Sequence, residues 1–156
     1  EEVYKAYFKA FPGLANYFKQ EKTKALKSGY IQFNEISGRK CYIPFFEDFQ
    51  RLTAEIEEDP EFWSDYRDHN YPIQGSSADI TKLAGIYFFR YLEENDLVFK
   101  VKMPNVVHDE WVVECSEDIK NEISKVLQVC MEKAGDVFCK TVKLKAEPEI
   151  TKYWQH

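Results

Sequence analysis

The sequence predicts an α+β fold, an antiparallel sheet with a motif-bearing hairpin, backed by several helices, and three observations lead to it. An apolar stripe at helical spacing (Ile80, Leu83, Ala84, Tyr87, Phe88, Tyr91 and Leu92) marks one long helix in the middle of the chain. Short β-prone runs at 30–36, 40–43, 97–101 and 106–115 are separated by turn residues. The runs fall in groups instead of alternating singly with helices, which favours antiparallel pairing over a parallel βαβ sheet. At 156 residues the chain is long enough to bury a core, and 12 Phe, 10 Tyr and 3 Trp supply large packing groups.

Taken in order, a first helix carries Val3, Tyr4, Tyr7 and Phe8 and ends near Phe11, where Pro12-Gly13 breaks it. Pro12 also suits the first turn of a second helix, which has Leu14, Tyr17, Phe18, Ala25 and Leu26 on one side and lysines mostly on the other. Gly29 is its expected C-cap, because glycine takes the left-handed backbone without steric cost. Ser37-Gly38 then turns a hairpin between the first two β-prone runs. Phe46, Phe49, Leu52 and Ile56 return to helical spacing, and Asp59-Pro60 opens a short helix through Trp63. Ser76-x-x-Asp79 reads as a capping box ahead of the long helix. Two strands follow Asn95-Asp96, then a helix over about 117–133 and a last strand over about 141–146. The chain is divided accordingly into helices and hairpin (1–45), an acidic segment (46–70), and the long helix, second hairpin, helix and final strand (71–156).

Composition narrows the function classes. No apolar run approaches the roughly 18–20 residues that span a bilayer, and no secretory signal opens the chain, so a cytoplasmic protein without a membrane span is expected; a monomer is expected as well. Cys41, Cys115, Cys130 and Cys139 make no C-x-x-C pair, which points to free thiols in a reducing compartment and away from a zinc knuckle. The net charge is −6, unlike the basic footprint of most nucleic-acid binders. Its distribution is uneven: residues 1–45 hold eight Lys/Arg against four Asp/Glu, whereas 46–70 hold nine acids against Arg51 and Arg67. Nucleic acid, if bound, would meet the basic first third; solvated helix faces account for the same pattern.

Two constellations bear on chemistry. His108-Asp109-Glu110 sits between Val106-Val107 and Trp111-Val112-Val113. Acids are depleted in strands, but at a tight hairpin turn two adjacent carboxylates reach one face and suit Mg²⁺, which takes one or two protein carboxylates plus phosphates and water. An ordinary polar turn is the competing reading. A deaminase reading of His108-x-Glu110 fails because no P-C-x-x-C follows, and a zincin would need H-E-x-x-H. The second constellation runs from Arg67 to Asp79. Asn70 and Gln74 lie four apart, so on a helix their amides project together and suit base-edge acceptors of a minor groove. A loop that merely caps the long helix is the alternative.

Asn70-Tyr71-Pro72-Ile73-Gln74-Gly75-Ser76-Ser77-Ala78-Asp79, followed by Val107-His108-Asp109-Glu110, strongly resembles family A DNA polymerases, the bacterial DNA polymerase I group and its phage relatives. Phe11-Pro12-Gly13, the helix to Gly29-Tyr30 and Ser37-Gly38-Arg39-Lys40-Cys41-Tyr42-Ile43-Pro44 resemble the helix and G-R-R hairpin that precede that motif in the family. The aromatic end through Trp154 to His156 is similar to the family's C-terminus, so the resemblance covers essentially the whole chain.

It implies a palm-like fold with part of the fingers, primer–template DNA and deoxynucleoside triphosphates as partners, and Mg²⁺ or Mn²⁺ as cofactor. By it, Asp109 is the second catalytic aspartate and a metal ligand, with Glu110 supporting the metal or its waters. His108 lies against the primer-terminal nucleotide, and Asn70 and Gln74 contact the duplex from the minor-groove side. The family often has an arginine four residues before the Asn; here that position is Tyr66, and Arg67 is carried as a DNA contact one place later. The 46–66 stretch is longer and more acidic than the family's connection. The family's first catalytic aspartate, in a D-Y-S-x-I-E-like strand, and its triphosphate-binding fingers helix are not among these residues, so the isolated chain is expected to be inactive. A non-catalytic remnant that binds DNA or protein is the alternative. An unrelated metal-dependent phosphohydrolase would need more Asp/His ligand pairs.

Overall fold

A computed structural model describes residues 2–43 and 70–154. The helices expected over 46–63, the acidic segment up to residue 69 and the last two residues lie outside the described residues. The chain forms two compact units, residues 1–75 and 76–156.

In the first unit, α1 (Glu2–Ala10) and α2 (Pro12–Ser28) meet at the expected Pro12 break, with Pro12 in the first turn of α2. Rings knit them together: Phe8 packs edge-on against Phe18 at 5.7 Å between centroids, and Tyr7 against Phe11 at 5.1 Å. Gly29 ends α2 at φ 76°, its N–H bonded to the Ala25 carbonyl at 2.9 Å. That left-handed residue turns the chain into β1 (Tyr30–Gln32), which pairs antiparallel with β2 (Lys40–Tyr42) in the register Ile31 to Cys41. Ala25, Ile31 and Ile43 form the buried centre. Both strands are shorter than the sequence suggests. The Asn34 side-chain oxygen accepts the Ser37 N–H at 2.7 Å, giving the backbone a local turn in place of further ladder.

The long helix, α3 (Tyr71–Glu94), starts earlier than the apolar stripe implies. The Asn70 carbonyl accepts the Gln74 N–H at 2.9 Å, so Ser76 and Asp79 lie inside the helix and do not cap it. Pro72, near the helix start, needs no helical donor of its own, which is why the Asn-Tyr-Pro run enters the helix instead of ending it.

In the second unit the expected stripe of α3 is the core. Ala84, Phe88 and Leu92 are buried, joined by Leu97, Val101, Ile123 and Cys130. The helix closes with a Schellman arrangement: Asp96 is left-handed at φ 56°, its N–H meets the Glu93 carbonyl at 3.3 Å, and the Leu97 N–H meets the Leu92 carbonyl at 2.8 Å. Leu97 is therefore the hydrophobic partner of the helix end. The Leu97 carbonyl then accepts both the Lys100 and Val101 N–H groups, so the strand expected from 97 begins only at β3 (Val101–Val107).

β3 pairs antiparallel with β4 (Glu110–Cys115), and α4 (Lys120–Phe138) follows. After α4 the chain bends at 140–142 and joins no ladder among the described residues, contrary to the strand expected at 141–146. Side chains of α4 take the backbone groups that a neighbouring strand would use: Gln128 Nε2 donates to the Ala146 carbonyl at 2.8 Å and Glu132 Oε1 accepts from the Ala146 N–H at 3.4 Å. The four cysteines are free, and burial pushes the Cys115 and Cys130 thiols above their ordinary range, consistent with packing roles. No described helix is long and apolar enough to cross a membrane.

Candidate functional site

The acidic triplet occupies the tip of the β3–β4 hairpin. Val107 pairs with Glu110, leaving His108 and Asp109 as a two-residue loop. A loop this short needs left-handed backbone, and His108 supplies it at φ 52°. Most side chains avoid that region, at a cost of roughly 1–2 kcal/mol; histidine is among the residues that tolerate it more often. All three side chains are exposed.

Three features aim this tip. The ladder slips by one residue between Lys102 and Asn105, so Met103-Pro104 opposes Val113 alone as a β-bulge. Pro104 has no N–H to leave unpaired there, which suits it to a bulge. Next to the acids, the Trp111 indole donates Nε1–H to the Thr81 carbonyl of α3 at 3.0 Å. Its ring lies so close to α3 that a Cβ on Gly85 would sit 2.4 Å from the indole. Finally, Glu110 Oε1 accepts the Trp154 Nε1–H at 2.9 Å.

Asp109 makes no hydrogen bond or ion pair within the described residues, so its carboxylate is open to solvent and to a cation. No cluster of three or more His, Cys, Asp or Glu able to hold a metal occurs among the described residues. Two hard oxygen donors match what Mg²⁺ takes from protein when phosphates and water complete its shell. The donor set thus fits part of a metal centre.

Asn70 and Gln74 belong to the first unit. Asn70 precedes the first turn of α3 and is half-buried, while Gln74, one turn on, is exposed. The backbone hydrogen bond between them makes Asn70 the entry to α3, one helical turn ahead of Gln74. Gly75, the next residue, receives the β1–β2 hairpin: a Cβ there would lie 2.3 Å from the Phe33 ring. The Arg39 guanidinium lies 4.9 Å from the centre of that ring and reaches the Gly75 carbonyl at 3.5 Å. Arg67 lies outside the described residues.

The structure therefore brings His108, Asp109 and Glu110 together on one turn and sets Asn70 and Gln74 a helical turn apart. The supports, Trp111, Gly85, Phe33, Arg39 and Trp154, are ones that motif reading had passed over. Gly85 and Pro104 carried a signal, since a glycine inside a helix and a proline inside a strand each cost stability unless packing or a bulge requires them.

The second unit thus presents an acid-tipped two-stranded hairpin laid on the long helix. Sequence comparison is specific: the chain matches DNA polymerase family A over residues 1–156 and belongs to that family. It is 28% identical over 148 residues to DNA polymerase I of Aquifex aeolicus (strain VF5), which covers 95% of this chain and 22% of that protein. It is likewise 28% identical over 148 residues to the thermostable DNA polymerase I of Thermus aquaticus, covering 95% of this chain and 16% of the relative. Among solved structures, it is similar to the POL domain of Pol1 from M. smegmatis in complex with DNA primer-template and dNTP. The TM-score is 0.63 at 28% identity, over 82% of this chain and 21% of that one. The chain spans about a fifth of these relatives' length or less.

Proposed function

We propose that this chain forms the C-terminal palm part of a DNA-directed DNA polymerase, which adds deoxynucleotides to a primer 3′ end under template direction. The observation that carries the reading is the pair of exposed, adjacent carboxylates at the hairpin tip, Asp109 on a two-residue turn whose first residue is left-handed and Glu110 at the head of β4. Backbone of that kind persists where surrounding structure enforces it and is concentrated at functional sites. Here the bulge and the Trp111 anchor supply the enforcement.

In this reading Asp109 is a metal ligand, and Glu110 holds the same metal or its waters. Asp109 and Glu110 would hold a divalent ion, Mg²⁺ or Mn²⁺, which would supply charge stabilisation to the phosphoryl transfer as part of a two-metal centre. His108 lies against the primer terminus. Asn70 and Gln74 donate amide hydrogens to the purine N3 and pyrimidine O2 acceptors that every base pair offers in the minor groove, so they hold the duplex without reading its sequence. Arg67 adds a phosphate contact. Two carboxylates on one turn make only part of a two-metal centre, and we infer that the 156-residue chain alone does not extend a primer. The parent enzyme is placed in the cytoplasm of a bacterial or phage-infected cell and acts as a monomer.

The test is primer extension by the full-length polymerase carrying Asp109→Ala. The expected loss is at least about 10²–10³-fold in turnover, with primer–template affinity largely retained. Turnover above about a tenth of wild type would refute the ligand assignment, because losing a ligand of the ion that stabilises the transition state costs far more than that.

A further inference from the structure

We propose that Trp154 is a positioning residue for Glu110: its indole N–H holds one carboxylate oxygen and so orients the other toward the metal shared with Asp109. The inference rests on the metal-bearing reading of that turn and extends it to a residue 44 positions away.

The contact is the end of a docked segment. From Lys140 to Ala146 the tail is tied to α4 at successive points. Leu144 packs on Gly135 so closely that a Cβ there would lie 2.9 Å from it, and Ala146 is bonded through both backbone groups to Gln128 and Glu132. Further along, Thr151 Oγ1 donates to the Tyr153 carbonyl at 2.7 Å, closing a turn that presents the next residue, Trp154. Its indole then meets Glu110 Oε1 at 2.9 Å.

The chemistry of the donor matters as much as its place. An indole N–H donates and cannot accept, so Trp154 does not itself ligate a metal. Being neutral, it forms a charge-assisted hydrogen bond to the carboxylate without cancelling the negative charge, as a lysine would. Glutamate has among the most rotamer freedom of any side chain. With Oε1 held, Glu110 keeps its second oxygen for a cation or for the water of a cation. Asp109 is one methylene shorter and has less rotamer freedom to restrain.

The experiment is a Mn²⁺ titration of the full-length polymerase bound to primer–template, isotope-labelled within this chain, following paramagnetic loss of the backbone amide signals of residues 107–112. Wild type is expected to lose these signals first, and Asp109→Asn to abolish the effect. Trp154→Phe keeps the ring and removes only the donor. Because Trp154 is half exposed, the fold is expected to survive, checked by unchanged amide dispersion elsewhere. The variant should need about threefold to tenfold more Mn²⁺, the scale of one exposed charge-assisted contact. On a Glu110→Gln background the same substitution should add nothing, an outcome that a general loosening of the tail would not produce.

If Trp154→Phe titrates like wild type while Asp109→Asn still abolishes the effect, the positioning role is wrong and the metal site stands. If Mn²⁺ leaves the wild-type turn untouched, or Asp109→Asn makes no difference, the metal reading fails and the role of Trp154 falls with it.

Discussion

Both hairpins of the molecule seat an aromatic ring over a glycine of the long helix, Phe33 at Gly75 and Trp111 at Gly85, yet they secure it differently. In the first unit the ring comes from the hairpin loop, and the polar contact is made by a separate residue, Arg39, at a long 3.5 Å. In the second, ring and donor are one residue: Trp111 is paired in the ladder with Val106 and bonded to the Thr81 carbonyl at 3.0 Å. The difference follows from what each hairpin positions. Asn70 and Gln74 lie on the helix and its entry, so the helix itself sets their spacing. Asp109 and Glu110 lie at a hairpin tip and depend on that hairpin being held without play.

The comparison is broken or sharpened first at the two glycines. Alanine favours a helix interior over glycine by about 1 kcal/mol, but overpacking typically costs 1–3 kcal/mol. At Gly85 the clash is expected to win clearly, with a net loss of about 2 kcal/mol, because Trp111 cannot move without losing its hydrogen bond and ladder. At Gly75 the Phe33 ring has no side-chain hydrogen bond to lose, although its N–H is bonded to the Arg39 carbonyl at 2.9 Å, so a smaller net loss of about 1 kcal/mol is expected. Amide exchange, read separately in residues 1–75 and 76–156, measures each; a larger loss at Gly75 would reverse the ranking. A smaller effect of opposite sign is expected at the tip. His108→Gly relieves the left-handed backbone and is expected to stabilise the second unit by up to about 1 kcal/mol. A destabilised melt would mean that the His108 side chain makes a supporting contact.

Legibility in the sequence follows the same division. Local chemistry read well where Pro12 and Gly29 bound α2 and the Ala84, Phe88 and Leu92 face is the core, whereas the strand expected over 106–115 is broken by the His108-Asp109 turn, with 106–107 in β3 and 110–115 in β4. Errors arose where a local signal had two uses. Leu97-Val98-Phe99 looks like the start of a strand, but Leu97 caps α3 hydrophobically and Phe99 is 98% exposed in the turn that follows. Ser76 and Asp79 have capping-box spacing, but Asn70 had already opened the helix. Val142 and Leu144 alternate like a strand, but α4 supplies the only partners for Ala146 among the described residues, and those are side chains. The supports of the site stayed hidden because Gly85 to Trp111 and Glu110 to Trp154 are contacts at long sequence separation, which no local pattern encodes.

The most direct test of the central claim is an anomalous-difference map from crystals of the full-length polymerase with primer–template, deoxynucleoside triphosphate and Mn²⁺. The account predicts a metal peak about 2 Å from a carboxylate oxygen of Asp109, with Glu110 at or next to the same shell. Metal peaks confined to other residues, with Asp109 facing solvent in the ternary complex, would contradict it.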